Sequence, residues 1–111
     1  MGGELLPAAR ASVFNTALPA AEAAWLGTAI IPYVEPSYME VYVCVSITGI
    51  FRVARTKGAT TIVEDLNSGV ALVAGSKYAF TVECRMLESI DFRYSTTGGT
   101  ILKLTVDEFG G

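Results

Sequence analysis

The sequence contains no histidine at all. That absence removes the His-based catalytic triad, the imidazole metal ligand and the side chain that titrates between pH 5 and 8. Charge is scarce too: 17% of the 111 residues are charged against a usual ~25%. The eight Lys and Arg are scattered and the formal net charge is -3, so no basic footprint for nucleic acid exists. No apolar run reaches the ~18 residues that span a bilayer, and no membrane partner is expected. The first residues, MGGELLPAAR, lack the positive n-region and apolar h-region of a secretory signal, so synthesis in the cytoplasm is expected. The two cysteines, Cys44 and Cys84, sit outside any CxxC; they allow at most one disulfide, and two inert core or interface thiols are the reading preferred over that pairing. Without a His base neither is a candidate nucleophile.

What is abundant is apolar surface, at 51% hydrophobic residues. A chain of this length makes one domain and hides only about two thirds of its extended surface. Part of the surplus is therefore expected to be covered by another subunit.

Strand periodicity dominates. Tyr78, Phe80, Val82 and Cys84 alternate with polar residues, as do Ile90, Phe92 and Tyr94, and then Leu102, Leu104 and Val106. Side chains alternate faces along a strand, so each run has one core face and one wet face. Three such runs separated by turns predict a β-meander over Tyr78 to Glu108. On this reading Asp91 and Asp107 are solvated surface carboxylates. Tyr38 to Ile47 is the most β-prone stretch: Val41, Val43, Val45 and Ile47 share a face, and Tyr42 and Cys44 opposite are uncharged, which predicts a central strand covered on both sides. Thr48-Gly49 and Lys57-Gly58 turn the chain into Ile50 to Thr56 and Thr60 to Glu64. Arg52 and Arg55 lie on opposite parities there, so one of them must reach solvent or an acidic partner such as Glu64 or Asp65. Asp65 to Gly75 is long enough to cross between sheets.

Residues 1–35 differ in texture, being alanine-rich, weakly charged and broken by Pro7, Pro19 and Pro32. Arg10 to Thr16 and Trp25 to Ile31 can each form a strand, and Ala20 to Leu26 a helical turn. The segment is too apolar for a solvated tail and is read as an arm packed on its own sandwich or on a neighbour's. The fold expected is all-β: an antiparallel β-sandwich, jelly-roll-like, of about eight strands over residues 36–111, with an N-terminal extended arm over residues 1–35. The candidate interface residues are Leu5, Leu6, Val13, Phe14, Trp25 and Leu26, with Trp25 as anchor.

No catalytic, metal or cofactor constellation is readable. The carboxylates Glu64-Asp65, Glu83, Glu88, Asp91 and Asp107-Glu108 are the candidates for an acid pair or a calcium site, but no run has the close alternate spacing of a calcium loop. Gly98-Gly99 lies between strands and is no dinucleotide fingerprint. No enzyme and no cofactor are expected.

Four stretches carry a resemblance: Arg55 to Gly58, the LNSG turn at Leu66 to Gly69, AGSKYAFTV at Ala74 to Val82, and the ending SIDFRYSTTGGTILKLTVDE. Together, over roughly residues 50–109, they resemble small β-sandwich virion structural proteins, of the head-decoration and minor structural type, from tailed phages and related archaeal viruses. The resemblance implies a noncatalytic subunit located in the virion, self-associating, commonly as a trimer, and seated on a capsid or tail lattice. Two other readings fit the residues: a carbohydrate-binding module using Tyr33 and Tyr38, and a filament subunit joined by donor-strand exchange.

Overall fold

The computed structural model describes residues 8–34 and 36–110. Seven strands form two antiparallel sheets: β1 (Ala8–Ala17), β2 (Ser37–Val45), β3 (Phe51–Lys57), β4 (Thr60–Asp65), β5 (Lys77–Cys84), β6 (Ser89–Tyr94) and β7 (Thr100–Gly110). The first sheet has the order β1-β7-β2-β5 and the second β4-β3-β6. An eighth element lies beyond β6. There Trp25 N–H donates to Phe92 O at 2.9 Å, and Ile30 and Ile90 exchange backbone hydrogen bonds of 2.7 and 2.8 Å. With that segment counted, every connection crosses between sheets except the β3–β4 hairpin. This is the jelly-roll arrangement.

The stretch read as an arm thus supplies, over its described residues, one edge strand of the first sheet and the cover of β6 in the second. The helical turn expected near Ala20 to Leu26 is absent; bends fill the stretch. The meander is also corrected. β5 pairs with β2, β6 with β3 and β7 with β1 and β2, so the three alternating runs lie in alternating sheets. Period-2 alternation reports which side of a strand is dry, and a strand of either sheet has one dry side.

The core sits between the sheets. Met39, Val41, Val43 and Val45 of β2 face Phe51 and Val53 of β3 and Ile90 and Phe92 of β6 within one buried cluster. Each such side chain contributes about 1.5–3 kcal/mol by leaving water. β2 is central, between β7 and β5, but its outer side is covered only in part: Cys44 is buried there, whereas Tyr38 and Tyr42 are 40% and 41% exposed. In β7 the register slips between Cys44 and Val45, which pair with Lys103 and Ile101. This bulge turns Ile101 into the core and leaves Leu102 partly exposed, reversing the parity expected at that end.

The end of the sandwich carrying the β2–β3 and β6–β7 connections is closed by Tyr94, whose hydroxyl donates to Ile47 O at 2.7 Å. Burial pushes its phenol up to about 12. Gly99 passes so close to Ile47 that an added Cβ would lie 2.3 Å from its Cγ2, which explains a glycine there without any unusual backbone angle. Asp91, expected in solvent, is buried: its Oδ1 accepts from Leu26 N at 3.0 Å and Phe92 N at 2.7 Å, because the Trp25–Ile30 segment lies over β6. Arg52 pairs with Asp65 at 2.7 Å and Glu22 at 2.5 Å, and Arg55 with Glu64 at 2.6 Å, as their parities required.

Candidate interaction surface

The opposite end of the sandwich is built differently. Three connections meet there: residues 31–34 before β2, the turn of the β3–β4 hairpin, and residues 85–88 between β5 and β6. Beneath them charged side chains occupy core-facing positions. Glu108 follows Leu104 and Val106 on the inward side of β7 and is only 3% exposed. It binds the Arg10 guanidinium and accepts from Tyr33 N at 2.9 Å, Val34 N at 3.2 Å and Ser37 Oγ at 3.0 Å. Arg10 adds a bond to Ile31 O at 2.7 Å, and its guanidinium carbon lies 3.6 Å from the Tyr33 ring centre. Burial by itself raises the Glu108 carboxyl, but the bonds from Tyr33, Val34, Ser37 and Arg10 outweigh it and hold the group below the usual carboxylate range.

A second brace is centred on Arg55, on the core side of β3 with a side chain 6% exposed. It bridges the sheets, donating to Glu64 at 2.6 Å and to the Glu83 carbonyl of β5 at 2.5 Å, with Glu88 at 3.5 Å. Between the two braces lies Cys84. Burial pushes its thiol up, against the opposing effect of a hydrogen bond with Ser37. Both cysteines are free and buried. Each is expected to react with a maleimide at least 100-fold more slowly in the native protein than in urea, by mass spectrometry of quenched samples; rapid native labelling of Cys84 would show that this end opens.

Above the braces the loops hold apolar side chains in water. Ile31 is 71% exposed, Tyr33 70%, Met86 69% and Leu87 70%. Leu87 has φ 63°, a left-handed conformation costing about 1–2 kcal/mol for a residue with a Cβ. Ile31 and Leu87 line one groove with Thr56, Gly58, Glu88 and Ser89. Hydrogen-bonded loops presenting apolar tips are preorganised for contact, because the ordering cost is met before a partner arrives. Of the carboxylates considered for chemistry, Glu64 and Glu88 are engaged by Arg55, Asp65 by Arg52 and Glu108 by Arg10.

No family model, curated protein or solved structure matches this chain.

Of the six residues expected at an interface, four are described, and three of these pack on the chain's own core. Val13, Trp25 and Leu26 are partly buried against the chain's own core. Trp25 stands 5.1 Å from Phe51 and 5.9 Å from Tyr94, ring centre to ring centre. Phe14, 56% exposed, projects from β1, and Leu5 and Leu6 lie outside the described residues. The loop-end set of Ile31, Val34, Met86 and Leu87 was not singled out from sequence. A signal existed nonetheless, since Glu108 falls on the Leu104 and Val106 parity, where a carboxylate must have buried partners.

Proposed function

We propose that this chain is a noncatalytic structural subunit that seats the apolar end formed by residues 31–34 and 85–88 on a larger protein shell, a virion capsid or tail lattice. The observation carrying the reading is the pairing of large exposed apolar side chains at Ile31, Tyr33, Met86 and Leu87 with the buried braces beneath them. Exposed apolar groups held rigidly at one end of a small domain mark a surface that another protein covers. The jelly-roll arrangement agrees with this as fold-level analogy, since it recurs in capsid subunits. The sugar-binding alternative gains nothing from the same geometry. Tyr33 already has Arg10 over its ring, and Tyr38 stacks on Phe109 at 5.3 Å.

The test is co-expression of the chain with the products of the genes flanking its own, followed by sedimentation through a sucrose cushion. The wild type is expected to pellet with particles, and Ile31→Lys combined with Met86→Lys to pellet at least tenfold less. Both positions are exposed, so the stabilities of the two proteins from urea unfolding should agree within about 0.5 kcal/mol. A wild type that stays in the supernatant, or a double variant that pellets equally, would refute the loop end as the contact. Deletion of residues 1–30 cannot serve as a test, because it removes β1 and the cover of β6.

A further inference from the structure

A jelly roll has four sheet edges, and an exposed edge is a template for pairing with another chain unless something blunts it. Three edges here are blunted. β6 is covered by the Trp25–Ile30 segment. β1 has a register shift between Ala9 and Ala11 and a left-handed Asn15 at φ 49°. β5 carries exposed Lys77 and Glu83 near its two ends. β4, reading TTIVED, has no proline, glycine, lysine or bulge, its two carboxylates are drawn onto Arg55 and Arg52 of β3, and among the described residues only β3 pairs with it.

The side chains of β4 show which surface is left uncovered. Ile62 pairs with Arg55, on the core side of β3, where Val53 is 1% exposed; yet Ile62 is 57% exposed. Val63 on the other side is 38% exposed. An isoleucine turned toward the core but left in water marks the place where the sheet stops one strand short of closing over it.

We infer that β4 pairs antiparallel with β4 of a second copy, about a twofold axis through Ile62, joining two second sheets into one continuous six-stranded sheet. The occupant follows from symmetry and charge. A twofold axis normal to a sheet maps each face onto itself, and residues opposite one another point to the same face, so only registers with one residue opposite its own copy are allowed. Centred on Ile62, the register sets Ile62 against Ile62, Thr61 against Val63 and Thr60 against Glu64. No carboxylate meets a carboxylate, and the two uncovered isoleucines cover each other. Centring on Val63 would place Ile62 against Glu64, and centring on Glu64 would oppose like charges. This interface lies on a different edge from the loop end and stands whether or not that end binds a lattice.

The experiment is light scattering across a concentration series together with cysteine cross-linking. The wild type is expected to reach twice the chain mass, and Ile62→Lys, which sets two ammonium groups across the axis, to remain at the chain mass with unchanged far-UV circular dichroism. Under mild oxidation Ile62→Cys should form an intermolecular disulfide, since residues directly opposite have Cα atoms about 4.5–5.5 Å apart, within disulfide reach. Thr60→Cys should not, because its symmetry mate lies about 13 Å along the strand. A wild type at the chain mass at every concentration, a dimer that survives Ile62→Lys, or equal cross-linking at 60 and 62 would each overturn the inference.

Discussion

Replacing Glu108 by alanine is expected to cost about 3–5 kcal/mol, because it strands a buried guanidinium and leaves two backbone N–H groups and a serine hydroxyl without their acceptor. Glu108 is the common partner of Arg10, Tyr33, Val34 and Ser37. At a denaturant slope of about 1.5 kcal/mol per molar, the urea midpoint should fall by about 2–3 M. Glu108→Gln keeps an acceptor for Tyr33 and Val34 but leaves Arg10 without a counter-charge. Adding Arg10→Met to that variant should therefore cost less than the sum of the two single changes. Additive losses in this cycle would show that the pair is not coupled.

The same carboxylate sets an acid limit. Its folded pKa is depressed relative to the unfolded chain, so its contribution to stability is fully present above the usual glutamate range and is lost as pH falls through the depressed value. The wild-type urea midpoint should therefore drop on acidification below about pH 4. The Glu108→Gln protein should start lower and show a shallower dependence across that range. Parallel curves for the two proteins would assign the acid sensitivity elsewhere.

Phe51→Ala is expected to cost about 3–5 kcal/mol and to lower Tm by about 15–20 °C in a differential scanning calorimeter. Phe51 is fully buried, and its ring meets three others: Phe92 beside it in the second sheet at 5.4 Å, Phe80 across the sandwich at 5.8 Å, and Trp25 of the crossing segment at 5.1 Å. Its removal opens a cavity at the point where both sheets and the N-terminal crossing meet. A domain of this size has about 5–15 kcal/mol in total, so the loss is a large share of it. A loss below about 1.5 kcal/mol would mean that the surrounding rings collapse into the space and that the two sheets do not depend on Phe51 for their packing.

Much of the fold was legible one strand at a time. The valines of β2, the aromatic parity of β6, the β3–β4 hairpin and the acidic partners of Arg52 and Arg55 all follow from alternation and from the cost of burying a charge. The loop-end surface was far less legible. Ile31, Met86 and Leu87 sit in short irregular stretches with no period, so nothing local distinguishes an exposed apolar tip from one folded under. Glu108 could have been read from its parity. Its partners could not, since Arg10 and Tyr33 are distant in sequence and meet it only after β1 pairs with β7.

The chain's own sequence therefore determined that it is an all-β sandwich and which side of most strands is dry. Only the tertiary structure decided that the three alternating runs from Tyr78 to Glu108 belong to different sheets, that Ile101 rather than Leu102 enters the core, and that β4, among the described residues, is paired on one side alone. The reason is physical. Alternation is a local property of one strand and records burial, whereas neighbours, bulges and edges are set by pairing between residues tens of positions apart, which leaves no period in the chain.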